Sequence, residues 1–216
     1  MKKTIKNTAQ KAITSFLILG LCFTTATFAD GLDTFTMALT SASTSVELVQ
    51  GDGSTAANTS LAFDAKNFSF SQQTSTAKLG DDTKASALDQ VIKLSNPTDA
   101  DWTLALDFNG NTYWNDGATQ MPANGTTSTG LLSVNPSGCS IESSVGGTSL
   151  ITANVVCAAA DDFNGVTSVP LASGSLANAE FDEFFITDIA LTQYIPAAQA
   201  VVASGYSIAM NLTFTN

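Results

Sequence analysis

Apolar and polar residues alternate with a period of two over much of the chain beyond residue 30. Examples are Ser45-Val46-Glu47-Leu48-Val49, Ser60-Leu61-Ala62-Phe63, Phe68-Ser69-Phe70-Ser71 and Ile151-Thr152-Ala153-Asn154-Val155. Successive side chains of a strand point to opposite faces, so this pattern predicts short β-strands with one buried side. The longest run is the last, Gly205 to Thr215, and should form one strand with Tyr206, Ile208, Met210, Leu212 and Phe214 on a common face. Trp102 alternates with Leu104 and Leu106 and is expected to fill the core.

Turn chemistry separates the runs: Gly51-Asp52-Gly53, Gly80-Asp81-Asp82, Asn96-Pro97-Thr98-Asp99, Asn109-Gly110-Asn111, Asn124-Gly125, Pro136-Ser137-Gly138, Gly146-Gly147, Asn164-Gly165 and Ser204-Gly205. Many short strands joined by tight turns predict an all-β fold, an antiparallel β-sandwich of immunoglobulin-like or jelly-roll-like type. Helix signals are sparse. Pro196 to Ala203 has Pro first and Gly205 just beyond, enough for a turn or two, and Lys84 to Asp89 is a second short candidate. Residues 51–58 and 121–130 read as loops, so residues 30–216 form a single domain. Asp107-Phe108-Asn109-Gly110 recurs as Asp162-Phe163-Asn164-Gly165, an echo too short to be a repeat architecture.

The first 29 residues depart from this pattern. Lys2, Lys3, Lys6 and Lys11 precede an apolar run from Ala12 to Phe23 and the small-residue tract Thr24 to Ala29, the order of a cleavable secretory signal peptide. The apolar run is shorter than the roughly 20 residues that span a bilayer. Cys22 follows Leu19-Gly20-Leu21, but Leu21 is too large for a lipidation site, so cleavage is expected after Ala29, with Ala26 as the alternative. The expected location is secreted or on the cell surface, with no membrane insertion after cleavage.

Removing those residues sharpens the charge. The full chain carries −11, four of its eight lysines lie in the first 29 residues, and all nineteen acids lie beyond, leaving four cations against nineteen acids. Such a field repels phosphate backbones and anionic headgroups, so neither nucleic acid nor a membrane surface is an expected partner. Two cysteines remain, Cys139 and Cys157, and an even pair in an exported chain predicts a disulfide, with stabilisation of about 3 kcal/mol.

Candidate chemistry is limited. The chain has no histidine, and none of its cations is an arginine, so Ser-His-Asp or Cys-His catalysis is not available. Paired acids (Asp161 with Asp162, and Glu180, Asp182 and Glu183) are the residue types of a carboxylate-dependent glycosidase, but nothing in their sequence marks two acids as a matched pair. The expectation is no enzyme. Calcium is the candidate ion, because Asp107, Asn109, Asn111, Asp116, Asp161 and Asp162 are oxygen ligands in turn-rich segments. Asp107-x-Asn109-x-Asn111 matches the start of an EF-hand loop, which then fails at Thr112 and Ala118; the competing explanation is that Asp and Asn form turns. Trp114 beside Tyr113, in a polar stretch, is the candidate surface aromatic pair for glycan or a neighbouring subunit. In Phe181-Asp182-Glu183-Phe184-Phe185-Ile186 the aromatics are expected in the core and the acids in water.

Three segments carry a family resemblance: Leu94-Ser95-Asn96-Pro97-Thr98-Asp99-Ala100-Asp101-Trp102-Thr103-Leu104, Leu191-Thr192-Gln193-Tyr194-Ile195-Pro196-Ala197, and Gly205-Tyr206 with the alternation after it. In this order they resemble the bacterial WxL-type surface domains and related secreted β-sandwich proteins, over roughly residues 90 to 216. The resemblance implies attachment to a cell-wall polymer or to other surface proteins. The second Trp-x-Leu of that family is absent, its place taken by Asn211-Leu212-Thr213-Phe214. The expected function is a non-enzymatic cell-envelope protein, structural or adhesive. The first alternative is a pilus or fibre subunit that self-assembles by strand exchange, and the second is a secreted carboxylate-dependent glycosidase.

Overall fold

A computed structural model describes residues 32–41, 46–50, 59–81, 90–95, 101–142, 155–174, 183–200 and 205–215. The chain divides after Asp30, and all described residues belong to the unit Gly31–Asn216. The expected signal peptide with Cys22, the expected loop over 51–58, the expected short helix over 84–89, the expected turns at 96–99 and 146–147, residues 151–154, and Glu180, Phe181 and Asp182 lie outside the described residues.

The chain enters through β1 (Leu32–Asp33) and β2 (Phe35–Ser41), continues to β3 (Val46–Val49), and passes through β4 (Ser60–Ala62) and β5 (Lys66–Asn67) to β6 (Gln73–Leu79). β7 (Val91–Ser95) and β8 (Trp102–Phe108) precede a hairpin of β9 (Tyr113–Asn115) and β10 (Gln120–Pro122). β11 (Leu131–Asn135) leads through the 3-10 turn Pro136–Gly138 to β12 (Ser140–Glu142). Then come β13 (Val155–Cys157), β14 (Asp161–Asp162), β15 (Ser168–Gly174), β16 (Glu183–Thr187), β17 (Ile189–Ile195) and β18 (Tyr206–Thr215). Among the described residues there is no α-helix, and Pro196 to Ala200, where the sequence predicts the start of one, form only a turn.

β18 is the axis of the first layer, whose order is β4-β2-β18-β8-β15-β13. Its inward residues Tyr206, Ile208, Met210, Leu212 and Phe214 are all buried, as the alternation requires. β2 pairs with it in parallel, from Tyr206↔Phe35 to Leu212↔Ser41, whereas the other described pairings are antiparallel. The β9–β10 hairpin joins the opposite flank of β18 through Ser207↔Asn115.

The second layer consists of β14-β11-β17-β6 and β12-β16-β7-β3. Only Asp188, with φ 67°, separates β16 from β17, so the chain passes from the second of these sets to the first at a corner. The Asp188 amide donates to Gly80 O at 3.1 Å. A Cβ on Gly80 would lie 2.8 Å from Thr187 Cα, and its φ is 75°, so glycine alone suits the bend. Lys78 pairs with Asp188 at 2.7 Å across the same corner.

One core lies between the layers, with Leu104, Leu106 and Met210 from the first and Leu94, Val134, Phe184 and Leu191 from the second. Trp102 is 2 % exposed, and its ring centroid lies 5.9 Å from that of Phe184 and 5.7 Å from that of Phe214. The echoed tetrapeptides meet here, with the rings of Phe108 and Phe163 4.5 Å apart. Phe184 and Phe185 alternate: the first enters this core, and the second joins Val49 and Val91 in a smaller cluster.

The expected strand at Phe68 to Ser71 does not form. Phe70 and Ser71 instead make a bend, and Phe68 and Phe70 are 45 % and 84 % exposed, their rings edge-to-face at 4.9 Å.

Candidate functional site

The six proposed calcium ligands fall in three places. Asp107 lies in β8, opposite Ser168 and Asn211, and Asn109 and Asn111 sit in the turn that follows. Asp116 closes the β9–β10 hairpin: its carboxylate accepts the amides of Thr119 and of Ala118, the latter at 2.9 Å. Those bonds, that of Thr119 first, hold its carboxyl below the ordinary value. Asp161 and Asp162 form the short strand β14 beside β11. Among the described residues no three carboxylate, thiol or imidazole groups converge. The turn-forming explanation accounts for Asp116 directly. Of the acids considered for glycoside chemistry, Glu183 is ion-paired with Lys93 at 2.6 Å, and Asp161 and Asp162 are exposed.

Trp114 is not a surface aromatic. It is fully buried, with edge-to-face contacts to Phe35 at 5.5 Å and Phe63 at 5.3 Å, and its indole N–H donates to Gln193 Oε1 at 2.7 Å. Burying an indole requires a partner for its N–H, and a glutamine on β17 of the facing layer supplies it. The period of two then turns its neighbours Tyr113 and Asn115 outward.

Outside the first layer, that pair of residues borders a depression of about 170 Å³. Ala38, Ser207 and Ala209 form its floor, on the parallel strands β2 and β18; Tyr113, Asn111 and Asn115 stand around it. Ser207 Oγ donates to Asn115 O at 3.3 Å, which fixes the hairpin against the floor. The small outward residues of β18 were the available sequence signal for this feature, since bulky side chains at 207 and 209 would fill it.

The disulfide Cys139–Cys157 is present, with Cα atoms 6.1 Å apart. Cys139 precedes β12, which borders only β16 in its layer, and Cys157 ends β13, which borders only β15. The bond therefore joins edges of the two layers. No helix among the described residues is long and apolar enough to cross a membrane.

In comparisons with protein families, curated proteins and solved structures, no match to this chain is found.

Proposed function

We propose that this chain is a secreted, non-enzymatic protein of the cell envelope, structural or adhesive in role. The observation that carries this reading is the Cys139–Cys157 bond between the two layer edges. Disulfides persist in oxidising compartments, and the bond stands where an open sandwich is most easily pried apart or paired with another chain. The signal-like first 29 residues and the resemblance to WxL-type domains support the same reading, and a cell-wall polymer or another surface protein is the partner it implies.

The test is fractionation of bacteria expressing the full chain, followed by thiol alkylation before and after reduction. The expected result is recovery from the envelope or medium, with Cys139 and Cys157 unreactive until reduced. Recovery in the cytosol with both thiols reactive would refute the proposal.

A second reading, a fibre subunit assembled by strand exchange, is favoured by one observation. β2 contributes Phe35, Met37 and Leu39 to the core yet is held in the layer by β18 and the three-residue β4. A second copy's β2 would make the same contacts. Ala38 and Ala209 are outward partners in this parallel pair, so the double variant Ala38→Cys/Ala209→Cys reports which chain supplies β2. Exchange yields a ladder of crosslinked chains on a non-reducing gel; crosslinked monomer alone removes the fibre reading.

A further inference from the structure

We propose that the depression beside Tyr113 binds the ring of a neutral saccharide. This deepens the adhesive half of the proposed function and rests on that reading only for where such a ligand would be met.

The depression arises from the way strands pair around β18. β8 is in register with β18 only from Met210 onward, and β9 pairs with it in the ladder at Ser207↔Asn115. The chain between them turns through Asn109-Gly110-Asn111, where the Asn109 amide donates to Ala209 O at 3.1 Å and Gly110 has φ 87°. Asn111 is thereby set beside the floor, which Asn115 and Tyr113 also border. Because Trp114 is anchored in the core between them, the outward direction of Tyr113 and Asn115 is fixed by packing, which makes the walls preorganised.

The lining selects the ligand. Among the described residues no charged side chain borders the depression, so none of them neutralises an anion or a cation there, and the acidic chain as a whole repels anionic sugars. Among the described residues the side-chain amides of Asn111 and Asn115 and the Tyr113 hydroxyl have no hydrogen-bond partner. Amides and hydroxyls both donate and accept, as sugar hydroxyls do. A purely apolar ring would strip water from these groups without replacing its hydrogen bonds. The phenol ring of Tyr113 borders the space and supplies aromatic surface for the C–H groups on one face of a pyranose, and Ala38 and Ala209 leave room for it. At about 170 Å³ the space is smaller than the roughly 300–1,000 Å³ of sites for drug-sized ligands, which suits one ring of a glycan.

The test is titration of the full secreted chain, labelled with ¹⁵N, with methyl glucoside, galactose and N-acetylglucosamine, and with N-acetylneuraminic acid as the anionic probe. At least one neutral sugar is expected to shift the amides of Ala38, Asn115, Ser207 and Ala209 in a saturable way, with the anionic sugar inert. Tyr113→Ala and Asn115→Ala are each expected to weaken binding about tenfold or more while leaving the melting temperature unchanged. No saturable shift with any neutral sugar, shifts that survive both substitutions, or equal binding of the anionic sugar would overturn the proposal. If either variant melts early, Asn111→Ala, in the exposed turn, replaces it in the comparison. A chain that fractionates with the envelope yet binds none of these sugars sinks this inference alone.

Discussion

The indole N–H of Trp114 donates to Gln193 Oε1 at 2.7 Å between the two layers, where both residues are fully buried. The other end of the glutamine is also used, Nε2 donating to Tyr194 O at 2.7 Å. Replacing Gln193 with Leu leaves the indole N–H buried without an acceptor, at a cost of about 1–3 kcal/mol. Urea denaturation of Gln193→Leu, Trp114→Phe and the double variant should show the double losing less than the sum of the singles.

Gly174 faces Trp102 across the β15–β8 pair, and a Cβ at this position would collide with the indole. Gly174→Ala should therefore destabilise by about 1–3 kcal/mol through overpacking. In the Trp102→Phe background the added methyl should cost less, which the same denaturation measurement checks.

Reducing the disulfide should lower stability by about 3 kcal/mol, equivalent to a fall in melting temperature of roughly 6–12 °C for a domain of this size. Calorimetry with and without a reductant tests this; an unchanged melting temperature would show that the edge bond adds nothing to the folded state.

Asp116 gives a pH prediction with a definite sign. Its carboxyl is held below the ordinary value by the amides it accepts, so its contribution to the hairpin is complete above about pH 3.9, the unfolded-chain value, and is lost as pH falls through the lower folded one. The amide resonances of Thr119 and Ala118 should titrate with a midpoint below about 3.9, and Asp116→Asn should abolish that titration.

Sequence patterning identifies the sandwich because burial in a strand has a simple period. β18 and the Trp102 run of β8 follow it without exception on their inward faces. The pair Cys139 and Cys157 is equally legible, since nothing but a partner is needed to interpret it. Trp114 is not: β9 is only three residues long, its flanks are polar, and the group that makes its burial tolerable is a glutamine 79 residues away. Phe68 and Phe70 mislead in the opposite sense. Alternation states which residues share a face and says nothing of whether another strand lies alongside. Here β5 stops at Asn67, and the bend beyond it is tied down by the Ala198 amide donating to Ser69 O at 2.8 Å. The depression beside Tyr113 is illegible for a related reason, as its floor and walls come from β2, the β8–β9 turn, β9 and β18.

The position of β18 sets an order of events in time. A nascent chain that has not yet reached Tyr206 has β2 and β8 available but nothing to insert between them, so the larger layer has no middle. Contacts this distant along the chain form slowly. Ribosome-tethered fragments stopping short of Tyr206 are thus expected to remain protease-sensitive, and resistance should appear only once the last strand has emerged and the domain can close.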